Sequence, residues 1–203
     1  MDTEERYIFQ KDLDQKVKRF KSIYKDSIER EGADKLLEWL QGSDFFTAPA
    51  STRFHGCYEG GLLRHSLNVY DCLLKQLEVA GLSGVYPQET LAIVALLHDV
   101  CKVNYYKIGY RNVKDENGKW YAKEVYEIDE KFLGGDHADK SIIILQNFIH
   151  LSTDEILAIR AHMGGWDTTV RGGGSVIGKI FDSNKLAVCL HLADMMATYI
   201  MEG

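Results

Sequence analysis

The sequence is short of several things, and each shortage removes a class of protein. Only two prolines occur in 203 residues, and no segment repeats, which excludes collagen-like and low-complexity chains. The four cysteines, Cys57, Cys72, Cys101 and Cys189, form no CxxC pair, so neither a zinc knuckle nor a thiol redox motif is indicated. Basic charge is in deficit, with 24 Lys+Arg against 30 Asp+Glu and a net charge of -6. That balance does not suit broad electrostatic binding of long nucleic acid. The longest unbroken apolar run, Leu91 to Leu97, falls far short of the roughly 20 residues of a membrane span. The first five residues, Met1 to Glu5, carry three acids (Asp2, Glu4 and Glu5) where a secretory signal is basic and then apolar. The expectation is a soluble protein of the reducing cytoplasm with no membrane partner.

What is present suits one packed unit. With 45% hydrophobic residues, a chain of this length buries roughly 70% of its unfolded surface. Leu13, Val17, Phe20, Tyr24 and Ile28 step by four, three, four and four, which predicts one apolar stripe on a long helix. Lysines on that helix alternate with Asp12, Asp14, Asp26 and Glu29, as on a solvated face. A short helix is expected from Ala33 to Leu40, and another from Gly60-Gly61 to about Ala80, closed by Gly81. Thr90 to Lys102 is apolar nearly all round, a pattern that belongs at the centre of a domain. Cys72 and Cys189 sit in apolar helical patterns and read as core thiols.

Then the period changes. Tyr, Trp and Val crowd residues 103 to 128, and Asp115-Glu116-Asn117-Gly118 has the chemistry of a hairpin turn. Helices resume at 137 to 149 and 153 to 163, the second with Ser152 and Glu155 in capping-box spacing. A glycine-rich loop over 164 to 174, carrying Trp166 and Arg171, precedes a last helix from Asn184 to Met201. The fold class is therefore all-α: a helical bundle with a β-hairpin insertion over about 103 to 130. Residues 1 to 45 are expected as a helical extension packed on a domain of residues 46 to 203.

Three apolar helix faces each carry an ionisable group. His65 lies on the stripe of Leu62 and Val69, and Asp194 lies among Leu190, Ala193 and Ala197. His98-Asp99 ends the most apolar helix, either as a solvated cap or as a buried pair that needs a partner. Chance alone gives a His-Asp dipeptide in about half of chains of this composition, so location rather than the dipeptide carries the signal. Imidazole and carboxylate together are a ligand set for Fe, Mn, Zn, Ni or Co.

Gly60-Gly61-Leu62-Leu63-Arg64-His65-Ser66, Leu96-Leu97-His98-Asp99-Val100-Cys101-Lys102 and His191-Leu192-Ala193-Asp194 together resemble the HD superfamily of metal-dependent phosphohydrolases. The likeness covers residues 54 to 200. It implies an HD-domain fold and His65, His98, Asp99 and Asp194 as ligands of one metal. It further implies His137 and His162 on a second metal, with Asp99 bridging two divalent ions. The alternative reading places those two histidines against phosphate around a single ion. Lys102 is either the catalytic cation beside Asp99 or a helix cap. Lys140, one turn after His137, and His55 are candidate substrate contacts, and His191 a candidate support for Asp194. The expected chemistry is hydrolysis of a nucleotide or related small phosphoester by a metal-activated water, with Asp99 orienting the nucleophile. Two alternatives stand beside it. One is a nuclease or phosphodiesterase on oligonucleotides, because the Gly-Gly-Leu context also resembles HD domains attached to exoribonucleases. The other is a nucleotide-sensing module without turnover. The amphipathic first helix is a candidate surface for homo-oligomers. Hairpin aromatics either pack on the domain or stack on a nucleobase.

Overall fold

Helical spacing of the apolar residues sets the architecture of the computed structural model, which describes residues 3–129 and 135–202. Met1, Asp2, residue 130 at the expected end of the hairpin insertion, Gly134 and Gly203 lie outside the described residues. Helix α1 (Thr3–Ser27) buries Leu13, Phe20 and Tyr24 as its stripe predicts, with Ile28 buried just beyond its end, and lies across α3 and α4. Helix α2 (Ala33–Gly42) starts after Gly32, whose φ of 89° is costly for any residue with a Cβ. Helix α3 (Gly61–Val79) follows Gly60, and α4 (Gln88–Leu97) is buried on every side from Thr90 to Leu97. A helix with no polar face can only occupy the centre, and α4 packs against α1, α3 and α6.

Helices α5 (His137–Gln146) and α6 (Thr153–Ala161) both open on complete capping boxes, Asp136 with Asp139 and Ser152 with Glu155. Short α7 (Thr168–Arg171), α8 (Val176–Ser183) and α9 (Lys185–Met196) follow, and a π-helical turn spans Ala197–Met201. One hydrophobic cluster joins residues from Leu13 to Ala197. Between α4 and α5, β1 (Tyr106–Lys114) and β2 (Trp120–Ile128) pair antiparallel, Tyr106 opposite Ile128 and Lys114 opposite Trp120. Asp115 Oδ1 accepts from the backbone N–H groups of Asn117 and Lys119 at 2.9 and 2.8 Å, closing the expected turn. The all-α bundle with a hairpin insertion is thus the observed fold.

Three details differ from expectation. Helix α4 stops at Leu97 instead of continuing to Lys102, and Val100–Lys102 is a 3-10 turn. The His98 ring donates Nδ1–H to the Ala95 carbonyl at 2.9 Å, the acceptor that the next helical N–H would use. In a 3-10 turn, positions three apart eclipse, so Lys102 stands over Asp99. The glycine-rich loop is also largely ordered into helix. Its 3-10 turn Gly164–Trp166 and α7 lead into α8, whose Ile177 and Ile180 are buried, and Asn184 caps a separate α9 by accepting from Ala187 N–H. Finally, the hairpin folds only part of its aromatics onto the domain: at its base the Tyr106 hydroxyl donates to the Ala50 carbonyl at 3.3 Å, while the outer rings stand clear. Tyr110 and Trp120 are 67% and 63% exposed, because period-two alternation gathers Tyr106, Ile108, Tyr110, Tyr126 and Trp120 on one face and only its base meets the bundle.

Candidate metal centre

Helix α3 places His65 in the interior, 1% exposed, by burying its Leu62 and Val69 stripe. The close approach at its start depends on Gly61, where a Cβ would stand 2.0 Å from the Gly56 carbonyl oxygen. That approach brings the 50–56 segment, and with it His55, over the His65 ring at 4.9 Å between centroids. The end of α4 delivers His98 and Asp99, buried at 0% and 3%. His137 opens α5, His162 closes α6, and Asp194 lies on α9. Five segments remote in sequence therefore meet at one point.

Asp99 is the hub. Its Oδ2 lies 3.7 Å from His65 Nε2, 3.5 Å from His98 Nε2 and 2.6 Å from Lys102 Nζ. Its Oδ1 faces His137 Nε2 in a short contact and His162 Nε2 at 3.6 Å. The two oxygens of one carboxylate thus address two separate sets of imidazoles. Asp194 Oδ1 is 3.2 Å from His65 Nε2, and His65 and His98 face each other through their Nε2 atoms at 3.3 Å.

The tautomers follow from the outer hydrogen bonds. His98 and His162 donate Nδ1–H to the carbonyls of Ala95 and Ile159 at 2.9 and 2.6 Å. Each Nε2 therefore carries a lone pair aimed inward. His65 Nδ1 is held by Glu202 at 3.3 Å, and Asn68 donates to the same carboxylate at 2.7 Å. Lone pairs and carboxylates pointing at one another repel unless positive charge sits between them. His162 Nε2 is buried with no hydrogen-bond partner, which is costly for a polar atom left unmatched. The donor atoms fall into groups whose members lie within 4.8 Å of one another: His65, His98 and Asp194; His98, Asp99 and His162; Asp99, Cys101 and His137. This donor set fits one or more divalent ions.

Electrostatics agree with that fit. Burial alone lowers the His65 pKa, yet the hydrogen bonds of Asp194 and Glu202 raise it to about 9, so a proton is held in a place that wants a cation. Burial pushes His98 down to about 3, with His162 and His65 adding to the effect, so its ring stays neutral. Asp99 and Asp194 are both held well below the usual carboxylate range despite burial, by Lys102 and by His65 respectively. Lys102 is held protonated by Asp99 against burial.

The sequence-predicted residues His65, His98, Asp99, His137, His162, Asp194 and Lys102 all come together here. His55 and His191 line the same cavity, whose volume is about 700 Å³. Neither His55 ring nitrogen has a partner. His191 donates Nδ1–H to the His162 carbonyl at 2.7 Å and stacks on Phe181, so it steadies His162 rather than Asp194. Lys140 is not in the cavity wall. A larger depression of about 870 Å³, between residues 25–35 and 146–150, lies away from these groups.

Two participants escaped the sequence reading. Cys101 Sγ lies 3.2 Å from His137 Nδ1, and Glu202 holds His65 from the far end of the chain. Glu202→Ala is expected to weaken metal binding about 10- to 100-fold by freeing the His65 ring. Competitive titration with a chromogenic chelator measures this, and an unchanged affinity would remove Glu202 from the site.

Comparison with curated proteins finds a similarity to the dihydroneopterin 2',3'-cyclic phosphate phosphodiesterase of Methanocaldococcus jannaschii, 34% identical over 86 residues. The aligned part is 40% of this chain and 31% of that protein, so the chain spans about a third of the length of the relative it matches. No family model matches the chain, and no solved structure matches it significantly. No helix among the described residues is long and apolar enough to cross a membrane.

Proposed function

We propose that this chain is an HD-type, metal-dependent phosphohydrolase acting on a nucleotide or related small phosphoester. One observation carries the reading: the two Asp99 oxygens serve separate imidazole sets, at the floor of a cavity that also holds a buried lysine. In this reading His65, His98 and Asp194 hold one ion, His137 and His162 a second, and Asp99 both. Bound divalent ions supply Lewis acidity toward phosphoryl oxygen and water of lowered pKa near neutral pH.

The chain's own groups supply the rest. Lys102 is charged and fixed at 2.6 Å from Asp99, so it offsets charge on the phosphoryl oxygens without reorganising. His55 offers two partnerless ring nitrogens to the cavity, which makes it a better phosphate contact than Lys140. The relative is named for a cyclic phosphodiesterase, which supports a phosphoester substrate and makes a cyclic phosphodiester the first to try.

The test is a panel of nucleoside 2',3'-cyclic phosphates, 5'-nucleotides, dinucleotides and short single-stranded oligonucleotides, with Mn, Fe, Ni or Co supplied. Expected is hydrolysis of small members, lost in Lys102→Ala. Turnover of oligonucleotides alone would replace this reading with a nuclease. Tight nucleotide binding with no turnover of any member would replace it with a sensing module.

A further inference from the structure

We infer that the rim of the metal-centre cavity is a binding site for a flat aromatic heterocycle, built by Trp166 and Tyr199 as a stacking wall with Phe54 beside them. The inference rests on the proposed phosphoester chemistry and names the part of the substrate that does not react. A volume of about 700 Å³ lies in the range of organic-ligand sites, roughly 300 to 1,000 Å³, and exceeds what ions and a phosphoryl group need. The extra space is lined chiefly by aromatic and apolar side chains, with Arg171 as its charged group. Trp166, Tyr199 and Phe54 border it, yet they are 43%, 60% and 80% exposed. Large rings left uncovered at a cavity mouth have no part in the core that would account for them.

The geometry says how a ring would sit. Trp166 and Tyr199 have centroids 6.2 Å apart and planes 31° apart. No third ring fits between them, so an incoming ring would lie against the outer face of the pair. The backbone that carries these rings is anchored. Trp166 ends the 3-10 turn that begins at Gly164, and a Cβ at Gly164 would stand 2.3 Å from the His191 ring. The next residue, Asp167, is 2% exposed and paired with Arg160. Phe54 is fixed on the segment of His55, its N–H donating to Ser51 Oγ at 2.8 Å. Tyr199 lies on the π-helical turn between Asp194 and Glu202. Each ring is therefore tied, within a few residues, to a group that supports the metal centre.

Arg171 completes the rim. It lines the cavity, is exposed, and has no ion-pair partner among the described residues. Its planar guanidinium suits the acceptor edge of a purine, pterin or pyrimidine. A ring stacked here leaves the attached phosphoester directed to the floor where Asp99 and Lys102 lie, because rings and floor line one cavity.

The test compares a base-bearing ribose phosphoester with the same ribose phosphoester lacking the base. Wild type is expected to favour the base-bearing substrate in kcat/KM by about 10-fold or more, from stacking of ~1–3 kcal/mol per base. Trp166→Ala and Tyr199→Ala should each shrink that ratio through KM, and Trp166→Phe should restore it. Equal kcat/KM for both substrates in wild type would overturn the aromatic site while leaving the phosphohydrolase intact. If neither substrate reacts, the proposed function fails, and tryptophan fluorescence decides the site by itself. Quenching by a free nucleoside that disappears in Trp166→Phe supports it, and no quenching overturns it.

Discussion

Asp99→Ala is expected to leave less than one bound metal ion per chain and to cut turnover by on the order of 10³-fold. Asp99 touches five of the converging groups. His65, His98, His137 and His162 all place Nε2 within 3.7 Å of its two oxygens, as does Lys102 with Nζ. Removing it takes a ligand from both donor sets at once. It also leaves Lys102 buried without its anion, and burial then lowers the pKa that Asp99 now raises. His137→Ala, which touches only the Oδ1 set, should cost one ion rather than all. Elemental analysis of the purified variants gives the stoichiometry, and Asp99→Asn, which keeps the shape, separates ligand loss from misfolding. A full metal complement in Asp99→Ala would show that the ions, if any, bind elsewhere.

Why so much of this was legible follows from which forces are local. The apolar girdle of Leu91 to Leu97 states its own burial, and Asp115 to Gly118 states its own turn. His65, His98 and Asp194 stood out because each is polar on a face otherwise apolar, a contrast visible within one helix. Glu202 had no such contrast. It joins His65 across 137 positions, after a π-helical turn that no periodicity announces. Cys101 was hidden by the turn that ends α4, since a continuing helix would have carried it away from His137. The glycines at 172 to 174 masked α8, whose two buried isoleucines are too short a pattern to outweigh them. The role of the hairpin aromatics stayed open for a different reason: alternation shows which residues share a face, but not whether that face is covered.

Arg30→Ala is expected to destabilise the fold by about 3 kcal/mol near neutral pH, far more than a surface ion pair is worth. Arg30 follows α1 and binds three distant parts of the chain at once. Its Nη atoms reach both oxygens of Glu155 at 2.8 and 2.9 Å, Glu89 at 3.1 Å and the His150 carbonyl at 2.7 Å. The Glu155 side chain is fully buried, while Arg30 retains 20% exposure. Without the guanidinium, Glu155 keeps only neutral donors, Thr90 Oγ1 and the Ser152 N–H, which do not compensate a buried charge. Burial raises the Glu155 and Glu89 pKa values, but the hydrogen bonds of Arg30 more than offset this and hold both below 4.5. A carboxylate depressed in the folded state contributes stability that is present above its unfolded pKa and lost as pH falls through the folded one. Wild type should therefore hold its stability down to about pH 4.5 and lose it below. In Arg30→Ala, burial of Glu155 is opposed only by Thr90 and the Ser152 N–H, its pKa rises, and the acid-side loss begins at higher pH. Urea unfolding of both proteins across that range measures the difference. A penalty under about 1 kcal/mol with superimposable acid limbs would mean that the network lies on the surface in energetic terms, and that the first helix is held to the bundle by its apolar stripe alone.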